Sequence, residues 1–214
     1  MEENFSITNA NSRNEKIRNF FANNKKKLIL TIIILMIIII GVFSYDKYTT
    51  NKKKEISDKF NSITIEYSEN TKDKVISSLI EIINQKDPTY SPLSLYFIVD
   101  NNLITDQTKI NSLFDILINN TSLDREIKNL IIYKKALYNA DNAQESDLLN
   151  ILNPLINSKS VWKSHSLYLM AEYFYANNQK QKAKEFYNQI INSQYSNPEL
   201  RIESEKRLSR DLRE

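Results

Sequence analysis

The sequence predicts an all-α chain: a single N-terminal transmembrane helix followed by an α-solenoid of helical hairpins. Three observations lead there. Leu28–Tyr45 (LILTIIILMIIIIGVFSY) is eighteen consecutive residues without a charge. The only glycine among 214 residues, Gly41, lies inside that stretch, and there are four prolines. Beyond it, apolar residues recur at three- and four-residue intervals in one segment after another, separated by short polar turns. Tight hairpins, P-loops and dinucleotide-binding folds depend on glycine, so a chain this poor in it is expected to be helical outside the membrane as well.

The anchor comes first. At ~1.5 Å per residue, eighteen residues of helix run ~27 Å, close to the thickness of a bilayer core. Lys25–Lys27 precede it, and Asp46, Lys47 and Lys52–Lys54 follow. Long lysine stems reach the headgroups from slightly inside and make up the remaining length. Ile32–Ile34 and Ile37–Ile40 cover every helical face, which argues against a core helix with one polar side. A cleaved signal peptide is the other possibility. The apolar run is longer than the usual signal core, no small-x-small cleavage site follows, and the absence of cysteine excludes a lipoprotein site. The expected layout is a cytoplasmic tail over 1–27, a permanent single-pass span over 28–45, a linker and first helix over 46–68, and a helical domain over 69–214.

Charge narrows the function classes. The net charge is +3. The tail carries Arg13, Lys16, Arg18 and Lys25–Lys27 against Glu2, Glu3 and Glu15, which accounts for the whole excess. The domain is therefore neutral and offers no electrostatic footprint for nucleic acid. Basic residues near the span are only slightly more numerous before it than after it, so the positive-inside rule favours a cytoplasmic N-terminus weakly. With no cysteine there are no disulfides, thiolate zinc sites or cysteine nucleophiles.

In chain order, residues 1–15 are polar and without apolar periodicity, and are expected to be disordered. Glu15–Asn24 then sets Ile17, Phe20 and Phe21 on one side of a short helix, with Arg18 elsewhere. This is either an interfacial helix with aromatics at the headgroups or a docking handle for a membrane-proximal partner. After the span, Ile56, Phe60, Ile63 and Tyr67 form one stripe, so the helix is expected to reach about residue 67. Thr71–Gln85 follows, with Val75, Leu79 and Ile82/Ile83, and is stopped by Asp87-Pro88. Ser91-Pro92 reads as an N-cap and first helical position. Gln107–Asn119 carries Ile110, Phe114 and Leu117. Thr121 and Asp124 resemble a capping box for a helix through Ile127, Leu130, Ile131 and Leu137. Ser146–Ile156 contains Pro154, which must kink or end it. Lys159–Asn177 is the longest segment, Lys180–Ser193 follows, and Asn197-Pro198 opens a charged C-terminal helix with Leu200, Leu208 and Leu212.

Helices of ~12–18 residues joined by short turns either stack as a solenoid or close into a bundle. One stretch favours stacking. Leu167, Ala171 and Phe174 are followed by Ala183, Tyr187 and Ile190: small residues twelve positions apart let two helices cross closely, and large ones fill the space beside them. That spacing matches most of the tetratricopeptide pattern; Ala136 and Leu148 repeat it less well. In this register His165, Tyr168, Glu172 and Tyr175 share the opposite face of the first helix. They either line a peptide-binding groove or pack on the neighbouring hairpin.

The chain resembles a known family, the ancillary SecYEG translocon subunits (YfgM-like envelope proteins of Gram-negative bacteria). The resemblance begins at Ile17-Arg18-Asn19-Phe20-Phe21-Ala22-Asn23-Asn24, similar to that family's basic–Phe-Phe–Ala–x-Asn entry to the anchor. It continues through the span, Tyr45/Tyr48, the helix with Phe60 and degenerate repeats to roughly residue 212. Ile/Asn/Lys richness and the loss of Ala and Gly at most helix contacts set this chain apart. The resemblance implies an inner-membrane protein with cytoplasmic N-terminus and periplasmic repeats. It also implies association with the Sec channel and with a membrane-anchored periplasmic chaperone, PpiD, in handling proteins that leave the channel.

An enzyme is the competing class. One histidine, no cysteine and one membrane glycine leave few nucleophilic triads, phosphate loops or His-rich metal sites, and His165 lies two turns from Glu172. The expectation is an anchored scaffold without catalytic residues, cofactor or metal, in contact with lipid through its span. A repeat adaptor for division or cell-wall assembly is the alternative, and a cytoplasmic-facing adaptor comes third.

Overall fold

A computed structural model describes residues 3–194 and 196–212, with side chains from Glu15 onward. Among the described residues there are nine α-helices and no strand. The chain divides into two compact units, Met1–Glu55 and Ile56–Glu214.

The described part of the first unit lies within helix α1 (Glu3–Ile65). The helix starts far ahead of the expected Glu15, because nothing in the polar tail from Glu3 on is a proline or glycine that would break it; Met1 and Glu2 lie outside the described residues. From Ile29 to Phe43 its large apolar side chains are 47–72% exposed. Its most apolar eighteen-residue window has a mean hydropathy of 3.0 with no residue buried, so it is long and apolar enough to cross a membrane. Thr31, the hydroxyl within this stretch nearest its start, donates to the Lys27 carbonyl at 3.0 Å and so needs no outside partner.

The second unit begins earlier than the expected residue 69. Ile56 is 4% exposed, and Phe60, Ile63 and Tyr67 pack on the first core. Tyr90 donates to Ser57 at 2.7 Å, and Lys59 pairs with Glu81 at 2.7 Å. After a short 3-10 turn, Glu69–Thr71, come α2 (Lys72–Asn84), α3 (Tyr90–Asp100) and α4 (Gln107–Asn120). Next are α5 (Arg125–Asn139), α6 (Glu145–Ile156), α7 (Lys163–Ala176), α8 (Lys180–Asn192) and α9 (Pro198–Arg210).

Packing follows chain order: each helix rests on helices one or two places away, as α2 on α4, α5 on α7 and α7 on α9. Two hydrophobic cores result. The first gathers Leu79, Ile98, Ile110, Phe114 and Ile131; the second gathers Ile132, Leu152, Phe174, Ala183 and Tyr187. Helix α5 serves both. The expected crossing is in place, since Leu167, Ala171, Phe174, Ala183, Tyr187 and Ile190 are all at most 1% exposed.

Several helix ends differ from the sequence reading. Asp87, not Ser91, opens α3: its carboxylate accepts from the Thr89 and Tyr90 amides at 2.8 and 2.7 Å, with Pro88 next in line. Ser91 is buried and donates to the Ile82 carbonyl at 2.8 Å. Thr121 closes α4 by donating to the Ile116 carbonyl rather than forming a capping box with Asp124. Helix α7 starts at Lys163, not Lys159, because Ser160 makes a turn of its own: its hydroxyl accepts from the Trp162 amide at 3.1 Å. The longest helix after α1 is therefore α5, with 15 residues. Pro154 lies in the last turn of α6, which ends at Ile156. Asn197 caps α9 as expected, accepting from the Glu199 and Leu200 amides.

Without glycine, other residues must take the left-handed positions that close helices. Lys86, Asn102 and Asn178 do so at φ 57°, 51° and 58°. Behind two of them the return bonds form, Leu103 amide to Ile98 carbonyl at 3.0 Å and Gln179 amide to Phe174 carbonyl at 2.9 Å.

Candidate functional site

The four residues singled out on α7 separate into two environments. His165 faces α5: its ring lies 5.8 Å from Tyr133 and 5.2 Å from Trp162, and those two rings stack at 5.6 Å. The imidazole Nδ1 is buried with no hydrogen-bond partner among the described residues. His165 thus serves here as part of an aromatic seam between α5 and the start of α7.

Tyr168, Glu172 and Tyr175 lie further along the same side of α7 and converge on one side chain of α9. Arg207 donates to Glu172 at 2.6 Å, and its guanidinium lies 5.3 Å from the centroid of Tyr175. Tyr187 of α8 donates to the same Glu172 carboxylate, and its ring meets Tyr168 edge-on at 5.8 Å. Burial and the neighbouring Glu172 carboxylate push the Tyr187 phenol far above its ordinary range. The Tyr168 phenol rises too, mainly by burial. Burial pulls the Arg207 pKa down, but hydrogen bonds with Asp211 and Tyr168 and the Glu172 charge outweigh it and raise it overall. The geometry places these three residues in a network with α8 and α9, and all three remain half-buried. The Tyr168→Ala, Tyr175→Ala pair is therefore expected to lower stability by roughly 2–3 kcal/mol. Proteolysis should then cut first around α9; unchanged melting with unchanged cleavage would place the two rings outside the fold's support.

Ile17, Phe20 and Phe21 are 48%, 58% and 57% exposed on α1, and Arg18 is exposed as well. The two phenylalanine rings meet edge-on at 6.0 Å. They belong to the same continuous helix as the apolar stretch Leu28–Tyr45, not to a separate short one.

Three features escaped the sequence reading. Buried Asn139 of α5 donates to Asn111 of α4 at 2.8 Å and to the Lys135 carbonyl at 2.7 Å, and accepts from Asn111 and Gln107 at 2.9 Å each. Arg207 gave no signal, because one basic residue in a charged helix looks like any other. Tyr96, in a cleft beside α5, has its hydroxyl buried without a partner among the described residues; burial, with Asp100 adding to it, pushes that phenol up to about 12.

Two half-buried carboxylates are held by cations, Glu145 of α6 by Lys182 of α8 and Asp211 by Arg207 and Arg210 at the end of α9. Hydrogen bonds from Lys182 hold Glu145 below its ordinary value, and hydrogen bonds from Arg210 and Arg207 do so for Asp211. A depressed folded pKa contributes stability above the unfolded value and loses it as pH falls through the folded one. The melting temperature is accordingly expected to drop on going from about pH 6 to about pH 3, and Asp211→Asn should flatten that drop. Equal acid sensitivity in the variant would remove Asp211 from the account.

Among the described residues no group of three or more His, Asp or Glu is placed to hold a metal ion. Comparison of the chain with family models, with curated proteins and with solved structures returns no match.

Proposed function

We propose that this protein is a membrane-anchored helical scaffold that binds proteins and catalyses nothing. In this reading the domain is an α-solenoid of degenerate tetratricopeptide-like hairpins. What supports it is packing by chain order, successive helices on one another and α2 on α4, α5 on α7 and α7 on α9, with the close α7–α8 crossing at Ala171 and Ala183. The resemblance at Ile17–Asn24 carries the partner assignment: an inner-membrane protein, N-terminus cytoplasmic and domain periplasmic. It would sit beside the SecYEG channel with a PpiD-like chaperone and assist proteins leaving the channel. An anchor raises effective concentration near a membrane partner, so weak contacts suffice.

Affinity capture of the full-length protein from native membranes in mild detergent tests the assignment. Co-purification of the Sec channel and a periplasmic chaperone supports it; division or cell-wall components in their place move the scaffold to another envelope process. Thiol labelling of Ser158→Cys from outside the inner membrane tests topology, and protection from the reagent would invert it.

A further inference from the structure

Between α3, α4 and α5 lies a cleft of about 180 Å³ with Tyr96, Val99, Asp100, Phe114, Lys134 and Leu137 on its walls. It is flanked by apolar side chains that the fold leaves in the open. On α5, Ile127, Leu130, Lys134 and Leu137 recur at helical intervals, with Ile127 42% and Leu137 51% exposed. On α3, one turn before Tyr96, Leu93 is 40% exposed.

Two polar groups in this cleft lack complements. The Tyr96 hydroxyl is buried and donates to nothing among the described residues. The Lys134 ammonium lies over the Tyr96 ring, 4.4 Å from its centroid, and has no carboxylate partner among the described residues. The next residue, Lys135, by contrast pairs with Asp115 at 2.7 Å. A donor without acceptor and a cation without anion, above an apolar floor, are matched by one chemistry: an aliphatic side chain next to a carboxylate.

We propose that this cleft is a docking site for a segment of a partner protein that inserts one aliphatic side chain between Phe114 and Leu137 and sets a carboxylate against Lys134 and the Tyr96 hydroxyl. To reach the buried hydroxyl, an incoming carboxylate draws the Lys134 ammonium off the face of the phenol ring. Asp100, exposed on the α3 wall, opposes the incoming charge and keeps the contact weak and reversible. The inference rests on the reading of the domain as a protein-binding scaffold, but not on which membrane machine the scaffold serves.

The test is a titration of N-acetylleucine into the full-length protein in detergent micelles, with Leu and Val methyls labelled for NMR. Saturable shifts are expected at Val99 and Leu137, and N-acetylleucine amide should bind about fivefold more weakly. Lys134→Gln should weaken binding by about fivefold, and Asp100→Asn should tighten it about twofold. Tyr96→Phe separates a binding role from a structural one: it should weaken the probe yet raise the melting temperature of the free protein, because it removes a buried unsatisfied hydroxyl. Equal binding of acid and amide, shifts spread over the protein, or a lower melting temperature for Tyr96→Phe would each overturn the proposal. These outcomes are independent of the capture experiment, so the partner assignment can fail while the cleft stands.

Discussion

Truncating Phe174 to alanine is expected to lower the stability of the helical domain by about 3–5 kcal/mol. The side chain is 1% exposed, its ring 5.3 Å from Phe186 and 5.7 Å from Tyr173, with the Lys182 ammonium 5.0 Å above it. The large effect follows from its neighbours. Ala171 and Ala183, both fully buried, already bring α7 and α8 close together, so the helices have no slack with which to close the hole. A domain of this kind is stable by only about 5–15 kcal/mol, so the loss is a large part of the total. It corresponds to roughly 10 °C in melting temperature. Chemical denaturation of the purified protein measures it, with Phe174→Leu recovering most of the loss. A loss below about 1 kcal/mol for the alanine variant would mean that the crossing is loosely packed.

The second large effect is expected at Asn139, where alanine should cost about 2–3 kcal/mol. The carboxamide uses both its oxygen and its nitrogen, so its removal strands the Asn111 side chain at the α4–α5 contact, whereas the Lys135 carbonyl keeps its backbone bond within α5. Gln107 is exposed and recovers with water. Leucine at 139 should do no better than alanine, because shape is restored but the acceptor is not. A double-mutant cycle with Asn111→Ala isolates the pair, and a coupling of about 1 kcal/mol or more is expected. Strict additivity would show that the two amides act separately.

The helices were legible in the sequence because each has a stripe, and a stripe survives without knowledge of what it packs on: Val75, Leu79, Ile82 and Ile83 announce α2 and are all buried. The α7–α8 crossing was legible for a further reason, since paired alanines among large residues specify distance as well as face. Helix ends were less so. Ser91-Pro92 and Asp87-Pro88 both fit an N-cap followed by proline, and only the burial of Ser91 against α2 decides between them. The stripe His165–Tyr175 was correctly placed on one side of α7, but its surroundings were not readable. Arg207, Tyr133 and Tyr187 reach it from other helices, and no local pattern links them to it. The same holds for Asn139, whose partners lie in the preceding helix.

Ile131 and Ile132 are neighbours in sequence, yet one enters the first core and the other the second. A helix with a face in each cannot unwind without breaking both, so α5 should behave as the keystone of the folding cooperativity. Its amides should exchange with solvent hydrogen only through global unfolding, whereas α2 and α9, each bound to one core alone, open sub-globally and exchange sooner. The domain would then fray from its two ends towards its middle, leaving the central turns of α5 as the last structure to be lost.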